Sequence, residues 1–350
     1  MSRTRKEREA SVWRWIEAAR KVSRLRDRFR CDLTQITKLS PDGVDLALDC
    51  ALETDPSQAE VEALVGGATE AMSVTVVLSP NVFTASLRAI ALAKAAADTV
   101  FVKASRREPF FARLLGEHAR DAHVSFVNEV DYRAIASGEV HAYGSDSTLR
   151  TIAHQLDKSV VFRAHGTGFG VAYLDASAPI EACANALSRD VVLFDQSGCL
   201  SPRIAFVVGD ADRAEAFAST LFVALASWAE RVPRGELDDR TRADLRRYLD
   251  SMHMTGRVHE AVDCAVTLSG MATLPPAARV MHVVHVASFE EVVPALGALA
   301  PFVTTVGCHG APPEMSSLAR GHRMAALGMM QSPPFDGPVD PRRWPPSTLT

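Results

Sequence analysis

Cys199 is the residue whose setting first points to chemistry. It stands in "FDQSGCLSPR", residues 194–203, directly after a glycine and before a Ser-Pro turn, between two apolar segments. A structural cysteine usually sits inside an apolar run, whereas one on a glycine-flanked loop can present its sulfur to a substrate. The chemistry open to it is nucleophilic attack by the thiolate. That requires a pKa of about 8.5 to be lowered, or a cation nearby. The other cysteines (31, 50, 183, 264, 308) are scattered and form no C-x-x-C pair. This argues against a zinc site and a disulfide framework, and for a reducing, cytoplasmic compartment. Other combinations look chemical but are weaker. Cys308 and His309 are adjacent, and His282 and His285 are three apart in "MHVVH". On a strand, each pair points to opposite faces. "HGTGFG" (165–170) has G-x-G-x-G spacing and runs into the extended "VAYLDAS". No helix N-terminus then faces the loop to hold a pyrophosphate, so a tight turn is the plain alternative. His165, beside that turn, is a candidate acid for a departing group or a local hydrogen-bonding residue.

These residues need a scaffold, and the chain between 73 and 166 supplies one. "SVTVVLS", "TVFVKAS", "HVSFVNE", "VHAYGS" and "KSVVFRAHG" read as strands; "TASLRAIALAKAAA", "EPFFARLLGEHAR" and "TLRTIAHQL" between them read as helices. That alternation implies a parallel sheet with crossover helices. Ligands of such sheets gather at the carboxyl ends of the strands, which makes the junctions at 80–84 and 103–109 the cofactor candidates. A second unit repeats the rhythm: a helix at 179–194, a strand at 203–210, a long helix at 211–232, a charged helical stretch at 233–260, then strands at 279–288 and 302–308 around a helix at 289–299. Residues 1–30 read as a helix, 41–56 as holding a strand, and the proline-rich tail from 332 as lacking regular structure.

Composition narrows the class. The 350 residues are 47% hydrophobic and 23% charged, with a net charge of −4, ordinary for a globular protein of two or three domains and no argument for nucleic-acid binding. No apolar run reaches the roughly 18–20 residues of a membrane span, and no secretory h-region opens the chain. Charge is uneven: residues 1–30 carry eleven Lys/Arg and four Asp/Glu. Either this basic helix meets an anionic surface or it docks on the protein's own acidic body; the second is the expectation.

The order of these motifs carries a resemblance. "SPNVF" before an Ala-rich helix, "VFVKASRREP" after it, then "YGSD", "VVFRAHGTGFGVAYLD" and "ALSRDVVLFDQSGCLSP" resemble the aldehyde dehydrogenase superfamily. Within it, "GSDSTLRTI", "RDVVLFDQSGCLSP" and "GMMQSPPFDG" are similar to the long-chain acyl-CoA reductases, the fatty acid reductases of bacterial bioluminescence. The resemblance covers roughly residues 70 to 340, and D-Q-x-x-C-L-S-P is its strongest element. It implies an α/β fold with two Rossmann-like parallel-sheet domains, the cofactor domain at 46–168 and the catalytic domain at 169–330, flanked by a basic segment (1–45) and a tail (331–350). By the same resemblance, Cys199 matches the nucleophile. Asn81 matches the amide that completes the oxyanion hole, Lys103 the lysine on the adenosine ribose, and Gly144 and Ser145 the pair near the pyrophosphate.

Two departures matter. Where NAD-using relatives often hold both ribose hydroxyls with a glutamate, this chain has Arg106, followed by Arg107. A guanidinium suits a 2′-phosphate, which favours NADPH over NADH. Where acid-forming dehydrogenases carry the glutamate that activates water, it has Arg163. An enzyme that reduces a thioester needs no hydrolytic base. The expectation is therefore NADPH-dependent reduction of an acyl-CoA or acyl-carrier thioester to an aldehyde through acyl-Cys199, with an acyl-transferring partner enzyme as a further source of acyl groups. The alternatives are an oxidative aldehyde dehydrogenase and a shortened, non-catalytic member that binds an acyl thioester or a partner subunit. A homo-oligomer is expected, although the chain is short for the family, with part of the N-terminal region or the oligomerisation arm expected to be reduced.

Overall fold

The computed structural model describes residues 3–309, 322–342 and 344–345. Its first helices are α1 (Arg5–Arg24), α2 (Arg30–Thr37), α3 (Pro41–Ala51) and α4 (Gln58–Gly67). A capping box starts α1: Thr4 Oγ1 accepts the Glu7 N–H while the Glu7 carboxylate accepts the Thr4 N–H. Val12, Trp15, Ile16, Ala19 and Val22 form its buried stripe. The arginines of this region turn to the protein itself. Arg8 donates to the carbonyls of Val65, Ala68 and Ala95, while Arg20, Arg26 and Arg30 pair with Asp55, Asp49 and Asp45. The basic helix docks on its own body. Residues 41–51, expected to hold a strand, are helix α3 instead. Ser40 Oγ accepts the Gly43 N–H, Pro41 fits the first turn, and Val44, Ala47 and Leu48 share one buried face. The cap decides between the two periods.

The first sheet contains β1 (Ser73–Val77), β2 (Thr99–Lys103), β3 (Val124–Val127), β4 (Glu139–Tyr143) and β5 (Val161–His165), all parallel in the order β3-β2-β1-β4-β5. Helices α5 (Ala85–Ala96) and α6 (Phe110–Ala119) follow β1 and β2, and α7 (Asp146–Ala153) follows β4. Register and alternation sort the side chains. Val74, Val76, Val100 and Val102 share a face with Glu139, His141, Tyr143, Arg163 and His165, on the side of α1 and α5. Val77, Lys103, Val140, Ala142, Phe162 and Ala164 lie on the other face, where α7 packs. Direction reverses between β1 and β4, so their carboxyl ends open a crevice.

Gly166–Gly168 lead into the second sheet, ordered β12-β11-β6-β7-β10-β9-β8. Its strands are β6 (Phe169–Leu174), β7 (Pro202–Val208), β8 (Arg257–Glu260), β9 (Ala265–Leu268), β10 (Val280–Val286), β11 (Val303–Cys308) and β12 (Arg323–Ala326); among the described residues only the β8·β9 pair is antiparallel. Helices α8 (Ile180–Val192), α9 (Ala211–Arg231) and α10 (Asp239–Thr255) cover it. Two expectations shift here. The charged stretch to 260 ends in β8 rather than helix, and the helix expected at 289–299 shortens to α11 (Val292–Leu296), with Gly297 at φ 49° behind it. The tail lacks regular structure, yet it is packed. Phe335 is 1% and Asp340 5% exposed, and the buried Arg88 guanidinium donates to the carbonyls of Pro333, Pro334 and Gly337 while pairing with Glu53. Residues 343 and 346–350 of the expected tail segment lie outside the described residues.

Candidate active site

The backbone before Cys199 is unusual. Phe194, Asp195 and Gln196 all have positive φ (54°, 50° and 65°), although none is glycine. Each such residue costs roughly 1–2 kcal/mol, so side chains must hold the segment in place. Asp195 Oδ1 accepts from Arg279 Nε at 2.6 Å, and its Oδ2 accepts the Gly235 N–H at 2.9 Å. The fully buried Gln196 accepts the Val280 N–H at 2.6 Å through Oε1 and donates through Nε2 to Pro202 and Val280 carbonyls at 2.8 and 2.9 Å. Phe194 lies edge-on to Phe83, with ring centroids 5.9 Å apart. This explains why the cysteine stands among loop-forming residues: Asp and Gln pin a left-handed segment that turns Cys199 out of the second sheet. Its neighbours are fixed too. The Thr304 hydroxyl donates to the Cys199 carbonyl, and the Gly170 N–H donates to the Ser201 carbonyl at 2.8 Å. A side chain at Gly170 would meet the Leu200 carbonyl oxygen at 2.6 Å, so this glycine of "HGTGFG" serves the close approach of β6 to the cysteine turn.

The cysteine turn meets the first sheet at its carboxyl edge. A Cβ at Gly198 would stand 3.2 Å from Val82, the residue after Asn81. Asn81 itself is exposed, and its side chain makes no hydrogen bond among the described residues. Tyr143 and His165 stack in parallel, 4.4 Å between centroids and 8° between planes, on the face of the sheet that carries α5. Burial pulls the His165 imidazole down to about 4, Asp340 opposing; it is neutral at pH 7. Burial also raises the Tyr143 phenol, and a charge on Cys199 would raise it further. Burial pushes the Cys199 thiol up to about 11; Asp340 adds to the rise and Arg342 opposes it. Arg342 holds both oxygens of Asp340, at 2.8 and 2.7 Å, and donates to the Thr167 and Pro301 carbonyls.

The opposite face carries the cofactor candidates. Lys103 ends β2 half-buried; its carbonyl accepts the Leu78 N–H, and its ammonium makes no hydrogen bond or ion pair among the described residues. Arg106, 81% exposed in its side chain, pairs with Glu129 at 2.5 Å. Gly144 follows β4 and donates its N–H to the His165 carbonyl at 3.1 Å. Ser145 caps α7, its Oγ accepting the Thr148 N–H at 3.3 Å. Free N–H groups at a capped helix start suit an anion.

Comparison with known families settles what kind of protein carries this site. Residues 69–338 match the model of a family described as acyl-CoA reductase, LuxC. The chain belongs to the acyl-CoA reductase family. Its fold is that of the aldehyde dehydrogenases. An NAD-dependent benzaldehyde dehydrogenase from Corynebacterium glutamicum superposes with a TM-score of 0.72 at 15% identity, over 93% of this chain and 82% of that one. A methylmalonate-semialdehyde dehydrogenase from Oceanimonas doudoroffii gives 0.69 at 14% identity, over 95% and 79%. A γ-glutamyl-γ-aminobutyraldehyde dehydrogenase from Burkholderia cenocepacia gives 0.72 at 14%, over 92% and 76%. No sequence match to a curated protein was found.

In this member of the reductase family, the structure brings Cys199, His165 and the loop carrying Asn81 to one edge. Lys103, Arg106, Gly144 and Ser145 lie along the carboxyl ends of β2 and β4. Arg163 is held away from any role at the sulfur, its Nε on Glu139 at 2.6 Å and its Nη2 on the Thr69 hydroxyl at 2.7 Å. Sequence reasoning missed Tyr143, Asp340 and Arg342. No local pattern in the sequence signals the last two, which lie beyond the "GMMQSPPFDG" motif in the tail. Among the described residues no His/Cys/Asp/Glu group could hold a metal, and no helix is long and apolar enough to cross a membrane.

Proposed function

We propose that this chain reduces an acyl thioester to an aldehyde through a covalent acyl-Cys199, using NADPH. The observation that carries the proposal is the pinned left-handed segment 194–196, a strained backbone whose effect is to present Cys199 against the Asn81 loop. The donor set fits a dinucleotide: Lys103 at the carboxyl end of β2, and the Gly144–Ser145 turn and the start of α7 after β4, on either side of β1. A reduced nicotinamide bound there supplies the two electrons that convert the acyl carbon to an aldehyde. The chain does the rest. Cys199 Sγ attacks the thioester carbonyl, the Asn81 amide and the Cys199 N–H hold the oxyanion, and the donor thiol leaves with a proton. Release of the aldehyde returns the thiol.

Two features speak against the oxidative reading. The position of the hydrolytic glutamate holds Arg163, a guanidinium with no proton-accepting atom, and Asp340 has both oxygens held by Arg342. Neither is available to activate water. Cofactor choice rests on Arg106. It must exchange Glu129 for a 2′-phosphate, and Glu129 alone would suit the ribose hydroxyls of NADH. The test is intact-mass analysis with CoA thioesters, wild type against Cys199→Ala, followed by NADPH. An adduct that requires Cys199 and leaves as aldehyde is expected. A wild-type sulfur that every CoA and carrier thioester leaves unmodified would overturn the proposal and favour a binding role.

A further inference from the structure

A cavity of about 460 Å³ wraps the β5 edge of the first sheet beside His165, bounded on one side by the tail and on the other by α4 and α5. Asp340 and Arg342 line it, and a Cβ at Gly168 would meet both Arg342 Nη2, at 2.7 Å, and the side chain of Thr304, whose hydroxyl donates to the Cys199 carbonyl, so the cavity lies beside the cysteine turn. Its two walls differ. One is apolar, built from Leu64, Ala68, Leu92 and Ala96 of α4, its end and α5. The other is polar, built from the strand residues Glu139, His141, Arg163 and His165. The polar wall is already neutralised. Glu139 receives Arg163 Nε and Nη2 at 2.6 and 3.0 Å and Thr69 Oγ1 at 2.7 Å, with His141 Nε2 at 2.8 Å. Burial opposes its ionisation, but these hydrogen bonds win and hold the carboxyl well below the usual range. What remains open toward a ligand is hydrogen-bonding capacity without net charge. Among the described residues, Arg163 Nη1 makes no hydrogen bond, nor does either ring nitrogen of the neutral His165.

We infer that this cavity receives the acyl group, and that the preferred acyl group is not a plain alkyl chain but one bearing a neutral hydrogen-bond-accepting oxygen (hydroxyl, keto or amide) directed at Arg163. The inference rests on Cys199 as the acyl carrier. Methylenes lie along the apolar wall, while the oxygen meets the guanidinium about 7 Å down the strand from His165, two residues of rise. A plain chain would leave Arg163 Nη1 covered and unpaired, which costs binding. An anionic terminus would find no free cation there, since Arg163 and Arg342 of the lining are already paired with Glu139 and Asp340. Two glycines make the cavity easy to fill: a Cβ at Gly67 or at Gly337, both on its lining, meets no atom within 4 Å.

The experiment compares the rate of Cys199 acylation by acetyl-CoA, heptanoyl-CoA, ω-hydroxyhexanoyl-CoA and adipoyl-CoA. The hydroxy compound and heptanoyl-CoA have the same chain length. Wild type is expected to favour the hydroxy compound by at least about tenfold in rate constant per molar. Arg163→Lys, which keeps a cation for Glu139 but loses the fork, is expected to bring the ratio of hydroxyhexanoyl to heptanoyl rate constants down to about one. Gly67→Leu and Gly337→Leu are expected to slow both longer substrates and spare acetyl-CoA. Equal rates for the matched pair, a preference for adipoyl-CoA, or a preference indifferent to all three variants would overturn the inference while leaving Cys199 as the acyl carrier. No acylation by any thioester, acetyl-CoA included, would bring down the reductase proposal and this inference with it.

Discussion

At Cys199 the chemistry and the resting state pull in different directions. A thiol pushed up to about 11 is almost wholly protonated at pH 7, yet attack needs the thiolate. Because the folded value lies above the free one, the reactive fraction grows with pH throughout the neutral and mildly alkaline range. Alkylation of Cys199 by iodoacetamide, followed by peptide mass, should therefore rise about tenfold per pH unit from 7 to 10. A plateau near pH 8 would mean that the sulfur is activated at rest. Arg106 invites a second substitution. Glu129 occupies its guanidinium, so Glu129→Gln should free it for a 2′-phosphate and raise the NADPH-over-NADH preference severalfold in kcat/KM. If the ratio falls instead, Glu129 is needed for whichever cofactor binds, and Arg106 is not the discriminating residue.

Among the elements, helix α5 does two jobs. Its N-terminal approach carries Asn81 and Val82 to the cysteine turn, and its Arg88 ties down the tail that brings Asp340 and Arg342 to the sulfur. Arg88 is 3% exposed, and Glu53, its partner, is pushed up by burial despite the pairing. Removing one member of such a pair leaves the other buried and uncompensated. Arg88→Leu should cost about 3–5 kcal/mol in urea unfolding, and Glu53→Leu in the same chain should restore much of it. A single variant as stable as wild type would show that the tail carbonyls and the carboxylate find other partners. Polar anchoring of this kind escapes a propensity reading. The tail looked unstructured because its prolines and glycines exclude helix and strand, and burial without regular structure leaves no period in a sequence. The α3 helix was misjudged for a related reason: "VDLALDCAL" alternates well enough for a strand, and Ser40-Pro41 settles the matter by capping.

Across the molecule, the parallel sheets, their crossover helices and the strand-end placement of Lys103 and Gly144 were legible because each follows from β/α alternation, while the loop before β7 that carries Cys199 was legible from its glycine and Ser-Pro flanks. The site was legible only in part. Its sequence-local pieces stood out, while Tyr143, Asp340 and Arg342 come together from β4 and a tail almost 200 residues further on, a proximity that no local pattern encodes. Nor could spacing show that Arg106 has a carboxylate partner across a strand-end loop. The two sheets communicate at the same place. Phe83, after β1, stacks edge-on against Phe111 at 4.9 Å and Phe194 at 5.9 Å, so the cysteine turn rests on the hydrophobic core of the first sheet.

The Gln196 side chain has one more property. By taking the N–H and the C=O of Val280, it imitates a neighbouring strand residue at the start of β10. The Val280 amide proton is then shielded by a side chain of the cysteine turn and not only by the sheet. It can trade with deuterium from solvent only when that turn lifts, which makes it a clock for the turn's opening. Its exchange should slow when a thioester engages Cys199 and quicken in Gln196→Ala, while amides at the centre of β10 keep their pace. Exchange at Val280 that never departs from those central amides would mean that turn and strand open as one piece.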